Sequence, residues 1–131
     1  MNAAKLLKGI VVLPVSHLTI AREWYSHTLG FEAVYLHTDP VENPEGNYAI
    51  LRRDSAEVHL ILDEGPHEHP WQIAGTGYLF LKVDGIDAIY EQAIQSKTRI
   101  TCEIRREDWG ERAFQLTDPS GNRIRVCEHR L

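Results

Sequence analysis

The sequence is poor in the residues that announce covalent or thiolate chemistry. It holds two cysteines, Cys102 and Cys127, too few for a disulfide framework and with no Cys-x-x-Cys spacing for a zinc site. A reducing cytoplasm is therefore the expected setting. No apolar run approaches the roughly 18 residues of a membrane helix, so no membrane partner is expected. The stretch from Met1 to Ser16 carries Lys5 and Lys8 before a short apolar run cut by Pro14. It lacks a small-residue cleavage site and reads as a strand and not as a signal peptide. Basic residues are outnumbered, 14 Lys and Arg against 19 Asp and Glu, a net charge of −5. Such a surface repels a polyphosphate backbone, so no nucleic-acid partner is expected, and it leans toward a cationic one. There is no Gly-x-Ser-x-Gly, no Walker loop, and no pair of carboxylates that the spacing singles out.

What is present is alternation and repetition. Gly9–Val15 is rich in Val and Ile and suits a buried strand. Ser16 then stands where a hydroxyl would cap a helix carrying Leu18, Ala21, Trp24 or Tyr25, and Thr28 or Leu29, with Gly30 as its stop. Strands are expected at 31–37, 47–53 and 57–62, with the proline-bearing stretch 39–46 as a loop and a turn at Asp54–Ser55. After a polar loop over 63–76 the order recurs: a strand at 78–83 and a helix capped by Asp84. Strands then follow at 99–105, 112–116 and 123–127. Val15-Ser-His-Leu18 lies over Val83-Asp-Gly-Ile86 at a shift of 68, and Val58-His-Leu60 over Ile124-Arg-Val126 at a shift of 66. The chain thus reads as one domain, 1–131, of class α+β, built from two βαβββ modules at 1–65 and 74–131. Each half is too small for a good core of its own, so the two should share one.

This layout resembles the glyoxalase/bleomycin-resistance/dioxygenase superfamily, the vicinal oxygen chelate proteins. The similarity rests on Leu13–Phe31 and, more specifically, on Trp109-Gly-Glu-Arg-Ala-Phe114 followed by Asp118-Pro-Ser-Gly-Asn122. It is greatest to the bleomycin-resistance branch. The resemblance implies two modules whose strands curl into a half-barrel around a cavity. Its enzymes take four metal ligands from fixed places, which fall here on Ile10, His59, Tyr78 and Arg125. Isoleucine has no lone pair to donate, a tyrosine phenol must first lose a proton near pH 10, and arginine stays charged and repels a cation. Only His59 is competent, where about three protein ligands are needed. No metal and no other cofactor is expected, and no enzymatic activity.

The positions matching the branch's aromatic drug-binding groove are Tyr35, Tyr48, Phe80 and Trp109. Flat rings stack on planar ligands, and a ring face attracts a cation. Filling a core is the competing role for Tyr35 and Phe80. Trp109 lies in the polar stretch 107–110, where a core residue is out of place. Trp71 is placed as a flap over the groove, and His59, alternating with Val58 and Leu60, points either at ligand or into a satisfied polar contact. Tyr78 and Arg125 complete the candidate set, while Arg112 is assigned to an acid partner. His67 and His69, with Glu64 and Glu68, form a solvated loop in preference to a metal site. The expected function is metal-free sequestration of a planar, cationic, bleomycin-like antibiotic or similar flat compound in a groove at a homodimer interface. The alternatives are a glyoxalase- or dioxygenase-like enzyme with relocated metal ligands, and a regulatory module whose cavity is filled by its own side chains.

Overall fold

The structure, a computed structural model, describes residues 3–129; the ends of the expected 1–131 domain, 1–2 and 130–131, lie outside the described residues. Two four-stranded mixed sheets and two helices make an α+β fold. The first module runs β1 (Val11–Val15), α1 (Leu18–Leu29), β2 (Glu32–Asp39), β3 (Asn43–Arg53) and β4 (Ala56–Leu62). The second runs β5 (Tyr78–Val83), α2 (Ile86–Gln95), β6 (Ile100–Arg106), β7 (Arg112–Thr117) and β8 (Arg123–Glu128). The sheet orders, β1-β4-β3-β2 and β5-β8-β7-β6, are the same order repeated. The registers repeat as well. Val12 pairs with His59 in the parallel β1–β4 ladder, and Phe80 with Arg125 in β5–β8, at the shifts of 68 and 66 seen in the sequence.

Period-two alternation decides which side of the first sheet is core. Leu13, Val15, Ala49, Leu51, Val58 and Leu60 are all but fully buried. They pack with the apolar stripe of α1: Leu18, Ala21, Tyr25 and Leu29. Each Leu or Val so buried contributes about 1.5–3 kcal/mol of transfer free energy. The same cluster takes in Leu79, Ile86, Phe114, Leu116, Ile124 and Val126 from the second module. Helix α1 ends at Gly30, whose φ of 71° lets its N–H reach back to Ser26 O while the N–H of Phe31 bonds Tyr25 O.

Three local expectations change. Ser16 does not cap α1; the N-cap is His17 without a side-chain bond, and the Ser16 N–H and hydroxyl meet Ser120 Oγ of the second module at 2.9 and 3.2 Å. Asp84 does not cap α2, because Gly85, at φ 73°, occupies the N-cap. The stretch 39–46 is not a loop throughout: Asp39 pairs with Asn43, and β3 starts there. The Asp39 carboxylate accepts the N–H groups of Val41 and Glu42 (2.9 and 3.2 Å), closing a tight turn that the two prolines disguise.

The segment Asp118–Asn122 is a clasp between modules as well as a turn. Asn122, fully buried, donates to Pro14 O (2.8 Å) and to Asp118 Oδ2 (2.9 Å), and accepts the Gly77 N–H (2.8 Å). Asp118 also accepts the phenol of buried Tyr25 at 2.8 Å. Burial first, and the Asp118 charge second, push that phenol well above its ordinary pKa. The linker returns along β1 through Asp63 N–H to Val15 O (2.8 Å) and Gly75 N–H to Pro14 O (3.1 Å). Gly75 (φ 89°) runs so close to the clasp that a Cβ there would collide with Ser120 O.

Candidate functional site

The face of the first sheet turned away from the core carries Val12, Tyr48, Ile50, His59 and Ile61, with Tyr35 and His37 from β2 in register beside them. Two adjoining hollows open over it. One of about 390 Å³ is lined by Tyr35, His37, Asn47, Tyr48, Ile61 and Glu64. The other, about 480 Å³, has Val12, Pro14, His67, Trp71 and Gln72 in its wall and shares Ile61 and Glu64 with the first. Together they form a trough. Trp71 is 67% exposed and stacks on His69 at 4.3 Å between ring centres, on a single 3-10 turn, Pro70–Gln72. The loop bearing it is tied at its base by Asp63, whose carboxylate accepts the Ala74 N–H (2.8 Å) and meets the His67 ring. Those two contacts, in that order, hold Asp63 below the usual carboxylate range.

Beneath the trough runs a polar chain. Tyr48 Oη and His59 Nδ1 are 2.6 Å apart, and His59 Nε2 lies 2.8 Å from Glu57 Oε2. Glu57 in turn accepts Lys8 Nζ and Arg52 Nε, both at 2.7 Å. Those bonds from Lys8, Arg52 and His59 depress its pKa from 4.5 to about 2, so it is an anion at any physiological pH. Burial and the Glu57 charge raise the Tyr48 phenol in the opposite direction. Both ring nitrogens of His59 are thus engaged by protein groups.

The second-module candidates lie outside these hollows. Tyr78, Phe80 and Trp109 are 43%, 48% and 58% exposed. Each keeps a cation beside its ring: Arg123 at 4.6 Å from Tyr78, Lys82 at 5.8 Å from Phe80, and Arg125 at 5.7 Å from Trp109. Arg125 is bound to Glu107 at 2.6 Å, and Trp109 Nε1 donates to Glu111 at 2.9 Å. Arg112 pairs with Asp87 (3.0 and 3.1 Å) and Glu128, as its acid-partner assignment anticipated. Within one chain, then, Tyr35 and Tyr48 line one hollow and Trp71 the adjoining one, with His59 hydrogen-bonded to Tyr48. Tyr78, Phe80 and Trp109 form an exposed strip outside both, and Arg125 lies largely covered beside Trp109. Sequence reasoning missed Ile61 and Glu64 as lining residues. Ile61 could have been found by stepping two residues along β4 from His59. A third hollow, about 390 Å³ at the seam of the modules between Phe31, Arg53 and Lys82, contains none of the candidates.

The residues do not fit a metal ion at the four superfamily positions. Both His59 nitrogens are taken, Arg125 is an ion-paired cation, Ile10 has no donor atom and Tyr78 lies against Arg123. Among the described residues, no cluster of three or more His, Cys, Asp or Glu side chains is placed to hold a metal.

The family model described as "Glyoxalase/Bleomycin resistance protein/Dioxygenase superfamily" matches residues 9–126. The chain belongs to this superfamily. Among curated relatives, the bleomycin resistance protein of Geobacillus stearothermophilus is 27% identical over 132 residues, covering 91% of this chain and 94% of its own. Among solved structures, TnmS3, an antibiotic binding protein from Streptomyces sp. CB03234, superposes with a TM-score of 0.74 at 21% identity, covering 99% of this chain and all of its own. TioX from Micromonospora sp. ML1 gives 0.75 at 17% identity, covering 92% and 97%. At those identities the two structures establish the shared superfamily fold.

Proposed function

We propose that the protein is a metal-free binding protein that sequesters a planar, cationic small molecule of the bleomycin-like antibiotic class. The observation that carries this reading is the open trough of Tyr35, Tyr48, Ile61 and Trp71, which has Glu64 at its rim and rests on a histidine with no nitrogen free for a metal. Two tyrosines and a tryptophan offer ring faces to a flat group, and the carboxylate favours a positive one. Relatives named for bleomycin resistance and for antibiotic binding support the ligand class. Sequestration requires affinity without transition-state machinery.

The exposed strip of Tyr78, Phe80 and Trp109 finds its use in a homodimer. An apolar strip of this kind is costly to leave in water, and a two-fold partner would bring it against the trough of the other chain, making two equal grooves. The cations beside those rings would then face the part of the ligand away from its positive group. Light scattering should give twice the chain mass. A thermal-shift series with bleomycin and unrelated flat cations tests the function itself. A ligand at 100 times its Kd adds about 2.7 kcal/mol, which for a chain of this length raises the melting temperature by about 10 °C. No shift with any of them would count against the reading.

A further inference from the structure

We infer that Tyr48 presents its phenol oxygen to the trough as a hydrogen-bond acceptor, so that the site selects ligands bringing an N–H donor to that point. The inference rests on the trough being the ligand site, and it follows from the order of partners along the polar chain. Glu57 is a carboxylate and only accepts, so the His59 nitrogen facing it at 2.8 Å, Nε2, carries a hydrogen. Two full cations, Lys8 and Arg52, already neutralise Glu57 at 2.7 Å each, leaving no unmatched negative charge to call for an imidazolium. The neutral ring then has its bare lone pair on Nδ1, which faces Tyr48 Oη at 2.6 Å. Tyr48 therefore donates its one hydrogen inward. What remains for the hollow that Tyr48 lines is oxygen lone pairs. Glu64, on the same hollow, is also an acceptor; the amide of Asn43 donates to it at 2.8 Å. The polar points offered by Tyr48 and Glu64 thus share one sign. Glu57 and His59 are positioning residues: they line neither hollow, but they set which way the Tyr48 hydroxyl points.

Two measurements test this. The first needs no ligand: long-range ¹H–¹⁵N correlation of the His59 ring should show hydrogen on Nε2 and an unprotonated Nδ1. Hydrogen on Nδ1, alone or with Nε2, overturns the inference. The second compares two flat cations of equal charge, benzamidinium, which carries N–H donors, and phenyltrimethylammonium, which carries none. Glu64 attracts both. Benzamidinium should bind at least tenfold more tightly, and Tyr48→Phe should erase most of that preference while its melting temperature confirms a folded chain. Equal binding of the two probes, failure of both to bind, or a preference that survives Tyr48→Phe overturns the inference. The broader functional reading fails separately, through absence of stabilisation by bleomycin.

Discussion

Asn122 should be among the most costly polar side chains to remove, although it lines neither hollow of the trough. In Asn122→Ala the Gly77 N–H loses the acceptor that holds it at 2.8 Å, and Asp118 loses one of its buried donors. Pro14 O keeps the Gly75 N–H, and Asp118 keeps Tyr25, so the damage is bounded. An unsatisfied N–H costs about 1–3 kcal/mol and a lost hydrogen bond to a carboxylate about 1.5–3 kcal/mol. Allowing for relaxation, a net loss of about 3 kcal/mol is expected. With an unfolding entropy of about 2.1 cal/mol/K per residue, that lowers the melting temperature by about 10 °C. Asn122→Asp should lose at least as much, since it sets a second carboxylate against Asp118. Ser120→Ala, at the rim of the same turn, should cost less than about 1 kcal/mol. Urea midpoints for the three variants, with thermal melts alongside, give the comparison. A loss under about 1 kcal/mol for Asn122→Ala would refute the clasp as the joint between modules.

Stability should fall in acid partly through Glu57. Its folded-state pKa is depressed from 4.5 to about 2, so the stabilisation is complete above about pH 4.5 and is lost as pH drops toward 2. Glu57→Gln should flatten the stability curve between those limits, and an unchanged acid limb would contradict the ion-pair cluster around it. Trp109→Ala should change stability by less than about 1 kcal/mol, because the ring is 58% exposed. It should weaken bleomycin binding by about 1–3 kcal/mol if the strip meets ligand across the proposed homodimer interface. A collapse of 3–5 kcal/mol in stability would instead make it a core residue.

The fold was legible because period and spacing carry it. Alternation along Val58–Leu62 and helical spacing from Leu18 to Leu29 each admit one buried face, and the 68- and 66-residue shifts reappear as matched registers of β1–β4 and β5–β8. Contacts between the modules were not legible. Ser16 has the right residue type for a cap, but its partner is Ser120, 104 residues away, and no local pattern encodes that. Asp118-Pro-Ser-Gly-Asn122 was readable as a turn, whereas its hold on Pro14 depends on where β1 lies in space. For the site, alternation carried His59 to the face of the sheet opposite the core, and the resemblance supplied Tyr35 and Tyr48, which line one hollow. The positions it supplied on β5 and in the Trp109 loop stand apart from that hollow, since a matching position fixes a place along the chain and not which side chains meet across the two sheets.

Calorimetric titration of bleomycin into chelator-stripped protein tests the central claim most directly. The account predicts saturable binding at one ligand per chain, with an affinity that added zinc, iron, manganese or nickel does not improve, and a clear weakening in Tyr48→Phe. Absence of heat with the stripped protein, restored by a stoichiometric metal ion, would contradict it.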